Sequence, residues 1–202
     1  IAGWLNHPQA HPQTHRQLLT TRNRSGPRRH QSLQDALDWS YTLLTAAERA
    51  VLQNLAVFAN GCTLEAAEAV CLAESVAPAT LLDILTRLID KSLVNMHEQA
   101  GAARYSLLET IRQYAYDKLV ETGHMTVVAQ RHHAYFLTLA EQAQAHFIGP
   151  AQLIWFQWIE HELDNMRVAL ERIVASSGKE ELQGMVGLRL CTALEIFWGS
   201  RG

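Results

Sequence analysis

The stretch ATLLDILTRLIDKSLVNMHEQAGAARYSLLETIRQYA, residues 79–115, decides the fold. Its first part carries leucine and isoleucine at helical spacing, which predicts a helix with one apolar face. Residues 92–96 and 104–107 alternate as strands do, and the polar, glycine-bearing segment 97–103 joins them. The helical period then returns at Leu108. The order helix, hairpin, helix is typical of the end of a winged helix-turn-helix domain.

The residues upstream of this stretch predict the helical core of the same domain. Ser32 and Thr45 each begin a pattern that resembles a capping box, so each is expected to open a helix. Gly61 suits the C-cap of the second helix. Thr63 is placed to cap a short third helix, and Pro78 fits the first turn of the helix that follows.

Three further helices are predicted downstream. Residues 126–146, 151–174 and 180–198 each carry apolar side chains at helical spacing and are separated by breaks rich in glycine, proline or serine. Antiparallel helices of this length with short joints form the unit of a helical solenoid. Gly184 and Gly187 would let two of these helices approach closely.

Composition describes a folded chain with no strong electrostatic preference. Hydrophobic residues make up 48% and charged residues 18%, and the net charge is −3. Cys62, Cys71 and Cys191 form no C-x-x-C pair, so we expect reduced thiols and a cytoplasmic location. No apolar run approaches the ~20 residues that span a bilayer. We expect a fragment of a longer protein, because the chain begins at Ile1 rather than methionine and its last helical pattern stops at Gly202.

The predicted recognition helix lacks the charge that DNA binding requires. Such helices usually present Arg, Lys, Asn or Gln to base edges, whereas residues 78–91 offer two acids against two bases. We therefore do not expect this domain to bind DNA directly. Weak, sequence-independent phosphate contacts are assigned to the basic linker residues Arg22, Arg24, Arg28 and Arg29, whose alternative role is that of a solvated connector.

Motifs for metal binding and catalysis are missing from the sequence. His7, His11 and His15 are four residues apart, but the prolines between them exclude the intact helix that such a site needs. There is no H-E-x-x-H sequence, no nucleophile elbow and no G-x-x-x-x-G-K-[ST] phosphate loop. We expect no metal site, no catalytic residue and no enzymatic activity in this chain.

Ordered strings along the chain resemble a known family. It is that of bacterial STAND-type signal-transduction ATPases, which include the large LuxR-type and AfsR-type transcriptional regulators. Two parts of those proteins are matched over roughly residues 17–201, the winged helix and the start of a tetratricopeptide-like (TPR-like) region. The strings that carry the resemblance are SLQDALDWSYTLLTAAERAVLQNLAVFANGCTLEAAEAVC, LLDILTRLIDKSLV, RYSLLETIRQYAYDKL, RHHAYFLTLAEQA and WIEHELDNMRVALERI.

The resemblance implies an upstream NB-ARC-like ATPase module that binds ATP or ADP, a winged helix that closes over it, and a helical array that senses a protein or small-molecule effector. In related eukaryotic proteins a Met-His-Asp motif contacts ADP, and that motif falls on residues 107–109 here. Leu108 and Glu109 are thus the candidate nucleotide-contact positions, although Leu108 has no hydrogen-bonding group. Glu109 has an alternative role as a first-turn acid that the helix dipole favours.

These observations predict a mainly α chain in three segments. Residues 1–30 are an entry segment and basic linker, and residues 31–122 are a winged helix-turn-helix with a small β-hairpin wing. Residues 123–202 are antiparallel helices that begin a TPR-like superhelical array. The predicted function is non-catalytic and regulatory, coupling a sensor array to an upstream nucleotide switch. The alternatives are a DNA-binding transcription factor domain and a free-standing helical scaffold that binds proteins.

Overall fold

A computed structural model of the chain describes residues 28–71, 78–99, 101–176 and 181–200. These residues divide into two compact units, with the division between Ser40 and Tyr41. The described part of the first unit is helical, and the second unit contains every other element. Within the described residues, no helix is both long and apolar enough to cross a bilayer.

Helices dominate the chain, and the only described sheet is small. It has three antiparallel strands in the order β1-β3-β2. The predicted fold class, mainly α with a winged helix-turn-helix, is confirmed. The elements are α1 (Arg28–Thr42), α2 (Ala46–Leu55), β1 (Cys62–Thr63), α3 (Leu64–Cys71), α4 (Pro78–Asp90), β2 (Asn95–Gln99), β3 (Ala102–Ser106), α5 (Glu109–Glu121), α6 (Met125–Gln144), α7 (Gln152–Ser176) and α8 (Glu181–Gly199).

The first helix begins earlier than predicted. It starts at Arg28, directly after Pro27 in the sequence, and proline suits the start of a helix because it has no N–H to leave unpaired. Ser32 therefore lies inside the helix, and the capping box predicted there is wrong. Leu33, the next residue in this helix, is 43% exposed. The arginines at the end of the predicted linker are thus helical in backbone.

Two of the predicted helix starts are confirmed in detail. The Thr45 hydroxyl accepts a hydrogen bond from the Glu48 N–H (3.2 Å), and the Glu48 carboxylate accepts one from the Thr45 N–H (2.7 Å), which completes a capping box for α2. The Thr63 hydroxyl accepts a hydrogen bond from the Ala66 N–H at the start of α3 (3.3 Å). Residues within one helical turn therefore fix the starts of both helices.

The role predicted for Gly61 is wrong. Helix α2 ends at Leu55 with Ala56 as its C-cap, well before this glycine. Gly61 instead lies in the loop before β1 at a φ of +79°, and a Cβ there would clash with the Tyr105 carbonyl and lie 2.9 Å from the Ser106 Cβ. The glycine is needed because β3 passes directly over it.

The wing is a hairpin whose first strand starts later than predicted. Ser92, at a φ of +57°, ends the turn after α4, and the N–H groups of Leu93 and Val94 both donate to the Leu88 carbonyl (2.9 and 3.3 Å). Leu93 and Val94 are buried beneath the helix end, so they do not form the strand predicted at residues 92–96. Strand β2, Asn95–Gln99, keeps the end of the predicted strand and continues into the polar segment that was predicted as a connection. The two-residue strand β1 was not predicted.

Three long helices follow the winged helix, close to the predicted bounds. Helices α6 and α8 run parallel, because the contacts between them advance in the same direction along both helices. Arg189 donates to the Glu141 carboxylate (2.6 Å), and one turn further the Gln144 amide donates to the Thr192 carbonyl (3.4 Å).

Helix α7 runs antiparallel to α8, since its early Phe156 packs on the late Phe197 (ring centroids 5.4 Å) while its late Ile173 meets the early Gly187. A Cβ on Gly187 would lie 2.9 Å from the Ile173 Cγ2, which confirms the close approach predicted there. No heavy atom of the described chain lies near a Cβ on Gly184, so the same prediction is wrong at that position.

Candidate functional site on the winged helix

Helix α4 occupies the position of a recognition helix, and its outer side is not basic. Asp83, Thr86, Arg87 and Asp90 are exposed there, and Leu82 beside them is 45% exposed. The Thr86 hydroxyl donates to the Leu82 carbonyl of its own helix (2.8 Å). On this surface two carboxylates flank one guanidinium, which gives little attraction for phosphate.

The second base of this helix region is engaged within the protein. The Lys91 ammonium donates to the Glu48 carboxylate at 2.7 Å, and Glu48 is 1% exposed. The bond from Lys91, together with that from the Thr45 backbone, holds the pKa of Glu48 at about 2. Since Glu48 also closes the cap of α2, Lys91 joins the end of α4 to the start of α2, and its charge is paired within the protein.

The wing is joined to the helical array by a buried ion pair. Arg104 of β3 and Glu162 of α7 are each 3% exposed, and the guanidinium donates to both carboxylate oxygens at 2.6 and 3.3 Å. Its Nε donates to the Asn60 carbonyl (3.0 Å), and Nη2, one of the two nitrogens that bind Glu162, also donates to the carbonyls of Gly61 (3.1 Å) and His161 (3.3 Å). A charge can be buried when an ion pair and hydrogen bonds replace the water that it has lost.

A buried amide completes this contact. Asn165 is fully buried, and its amide group donates to the Gly61 carbonyl (3.0 Å) and to Glu162 (2.8 Å) and accepts from the Ala59 N–H (2.8 Å). We call the set Asn60, Gly61, Arg104, Glu162 and Asn165 the wing–array junction. Two turns beyond Asn165 on α7, Arg172 donates to the Val57 carbonyl (3.0 Å).

The sequence pattern of α7 indicates that its two polar junction residues are buried. Ile159, Met166 and Ile173 form the buried stripe of α7 at spacings of seven residues. Glu162 and Asn165 fall within the same stripe, and a polar pair on an apolar face indicates a buried partner. Nothing in the sequence identified Arg104 as that partner, because it lies on a strand 58 residues away.

The predicted nucleotide-contact positions border a cavity of about 300 Å³ between the 60–61 loop and the start of α5. Leu108 is the N-cap of α5, is 56% exposed and is not among the residues that line the cavity. Glu109 and Arg112 both line it, and Arg112 donates to the Glu109 carboxylate at 2.7 and 2.8 Å. This pairing lowers the pKa of Glu109 and raises that of Arg112.

The sequence did not identify Arg112, although a Glu–Arg pair at a spacing of three is a recognisable sign of a helix-surface ion pair. Leu107, the residue before the N-cap of α5, is half-buried and lines the cavity.

The remaining predicted positions are the four arginines assigned to nucleic-acid contact. Arg22 and Arg24 lie outside the described residues, and Arg28 and Arg29 open α1 without described side chains. In the part of the chain that the structure describes, no three His, Cys, Asp or Glu side chains cluster as metal ligands.

Comparison with known proteins identifies the domain. Residues 44–120 match the family described as a winged helix-turn-helix domain. The chain is 35% identical over 184 residues to "Putative HTH-type transcriptional regulator Rv0890c" of Mycobacterium tuberculosis, an alignment that covers 91% of this chain and 20% of that protein. The same values hold for "Putative HTH-type transcriptional regulator Mb0914c" of Mycobacterium bovis.

A shorter match involves "Uncharacterized protein Rv0894" of M. tuberculosis, which is 40% identical over 106 residues, or 52% of this chain and 27% of that protein. No solved structure matches significantly. The chain spans about a fifth of the length of the regulators it matches. It therefore contains a winged helix-turn-helix domain and is homologous to proteins named as HTH-type transcriptional regulators.

Proposed function

We propose that this chain is a non-catalytic, regulatory part of a transcriptional regulator of the STAND type. Its winged helix would transmit the state of a TPR-like sensor array, occupied by a protein or small-molecule effector, to an upstream NB-ARC-like ATPase module. The observation that supports this most strongly is the buried wing–array junction, because it commits the wing to a partner within the chain.

The junction offers a physical route for such transmission. The Gly61 carbonyl accepts hydrogen bonds from both Arg104 and Asn165, and the same glycine lines the cavity beside α5. A shift of α7 therefore displaces the 60–61 loop, and with it one wall of the cavity. Because Arg104 and Glu162 are almost fully buried, the wing cannot change position independently of the array without exposing a charge.

One of the residues that line the cavity carries a positive charge. Arg112 is the side chain there that could meet a phosphate, since guanidinium pairs with phosphate in two parallel hydrogen bonds. It is already held by Glu109. We therefore propose that ATP or ADP is held chiefly by the upstream module and that Glu109 controls how far Arg112 is available to it.

Glu109→Lys gives the test of this proposal. In the longer protein that includes the upstream module, the change frees Arg112 and adds a second cation beside the phosphates. ADP release should slow by about threefold to tenfold, the effect of roughly 1 kcal/mol. The isolated chain should fold normally, because the Glu109 side chain is 73% exposed. Release is measured by the displacement of a fluorescent ADP analogue.

Glu121→Lys is the matched control, because Glu121 forms the same kind of exposed pair with Lys118 at the other end of α5, away from the cavity. It should leave ADP release unchanged. Equal release rates for wild type and Glu109→Lys would mean that Glu109 is only a helix-start acid.

Direct reading of DNA is the second candidate function. The fold and the names of the relatives favour it, whereas the acidic outer side of α4 and the engagement of Lys91 by Glu48 favour a role within the protein. We therefore expect contact with DNA to be limited to weak, sequence-independent attraction by Arg22, Arg24, Arg28 and Arg29.

A further inference from the structure

Two adjacent histidines are buried where α6 meets the winged helix. His132 is fully buried and His133 is 7% exposed. The His132 ring packs on Phe136 of its own helix (centroids 4.7 Å) and on Phe58 of the loop after α2 (5.2 Å). The pair therefore forms part of the apolar surface that holds the array against the winged helix.

Most of the ring nitrogens of these two imidazoles have no hydrogen-bond partner among the described residues. Both ring nitrogens of His132 and the Nε2 of His133 have no partner among the described residues. The Asn165 side chain next to His132 acts to raise the pKa of that imidazole, but it is a smaller effect than burial, and both N–H groups of Asn165 donate to the wing–array junction. A buried polar group without a partner is uncommon and costly, so these two positions are candidates for a role beyond packing.

The charges that act on the pair are positive. Arg172 of α7 acts on both histidines, and a protonated His133 would add a further unfavourable charge beside His132. Burial is the larger cause, and together with these charges it lowers the pKa of His132 to about 3 and that of His133 to about 4. Other charged and titratable groups lie on the elements around the pair. Two of them form ion pairs, Glu162 of α7 with Arg104 and Glu141 of α6 with Arg189 of α8. The others exert their electrostatic effect on other side chains: Arg131 of α6 on Cys71 of α3, Glu65 of α3 on Tyr135, and Tyr116 and Arg112 of α5 on Arg172.

We propose that His132 and His133 form an acid-sensitive latch that holds the helical array against the winged helix only while both imidazoles are neutral. In the closed form a proton would place a second cation beside the Arg172 guanidinium in an apolar interface. Movement of α6 away from Phe58 relieves this by exposing the imidazoles to water. The latch concerns the contact between the array and the winged helix and does not depend on a nucleotide.

The direction of the pH effect follows from linkage. An imidazole protonates near pH 6.5 when exposed and at a lower pH when buried, so the open form binds more protons between those values. The closed form has its full stability relative to the open form above pH 6.5, and this stability decreases as the pH falls. For each histidine, the ratio of open to closed form rises about tenfold per pH unit below 6.5, until its buried pKa is reached.

Hydrogen exchange of the whole chain tests this latch. Exchange of peptides that cover residues 56–61 and α6 is followed by mass spectrometry between pH 7.5 and 4.5 and corrected for intrinsic amide rates. We expect protection of both segments to fall together below pH 6.5. The double variant His132→Phe/His133→Phe should keep its protection over this range, because phenylalanine fills the same space and does not titrate.

The matched control is His124→Gln, an exposed histidine that starts the same helix and should follow the wild-type profile. His132→Gln alone should lose about half of the pH dependence, and it serves if the double variant does not fold. An unchanged pH profile in these His132 variants, or full wild-type protection at pH 4.5, would overturn the proposal.

Discussion

Replacing Arg104 by alanine is expected to lower the free energy of unfolding by about 3–5 kcal/mol, the usual cost of removing one member of a buried ion pair. The Glu162 carboxylate, 3% exposed, would lose the guanidinium at 2.6 Å and remain buried with the Asn165 amide as its donor. The carbonyls of Asn60 and Gly61 would also lose donors. The change is measured by urea unfolding at pH 7.5.

Two variants separate this effect from a general loss of charge. Arg167→Ala removes an exposed pair with Asp164 on the same helix and should cost about 0–0.5 kcal/mol. The double variant Arg104→Met/Glu162→Leu should regain most of the stability that Arg104→Ala loses, because it leaves no unpaired charge in the interface. If Arg104→Ala and Arg167→Ala unfold at the same urea concentration, the junction does not hold the wing to the array.

Gly61→Ala is expected to cost about 2–5 kcal/mol. A φ of +79° costs an L-residue roughly 1–2 kcal/mol, and overpacking against β3 adds about 1–3 kcal/mol. The backbone cannot move away freely, because the Gly61 carbonyl accepts from both Arg104 and Asn165. The loss is measured by the same urea titration.

Gly123→Ala isolates the contribution of backbone strain. Gly123 has a similar φ of +75°, but a Cβ there would meet no described heavy atom within 4 Å. It should therefore cost only the roughly 1–2 kcal/mol of a left-handed alanine. Equal losses at the two glycines would show that β3 does not press on Gly61.

Much of the fold could be predicted from local sequence, because local interactions fix it. The capping box at Thr45 and the apolar periods of α6 to α8 depend on residues within one or two helical turns. The errors arose where tertiary contacts compete with local pattern. Leu93 and Val94 alternate like a strand but are buried beneath the end of α4, and Gly61 is fixed by β3 rather than by a helix end.

The site could be predicted only in part for the same reason. The family resemblance predicted Leu108 and Glu109 as nucleotide-contact positions, and Glu109 does line a cavity. The strongest feature, the pair of Arg104 with Glu162, joins residues 58 apart in sequence, and no local pattern specifies which buried acid an arginine meets. The segmentation at residues 30 and 122 and the assigned nucleic-acid contacts stay predictions.

We propose that this winged helix serves contacts within the protein rather than the reading of DNA. Selection of duplexes from a random pool with the whole chain, followed by anisotropy titration at 50 and 200 mM salt, tests it most directly. We predict no enriched motif, and residual binding that falls steeply with salt and disappears when Arg22, Arg24, Arg28 and Arg29 are changed to serine. An enriched motif whose complex survives 200 mM salt and is lost in Arg87→Ala would contradict the claim.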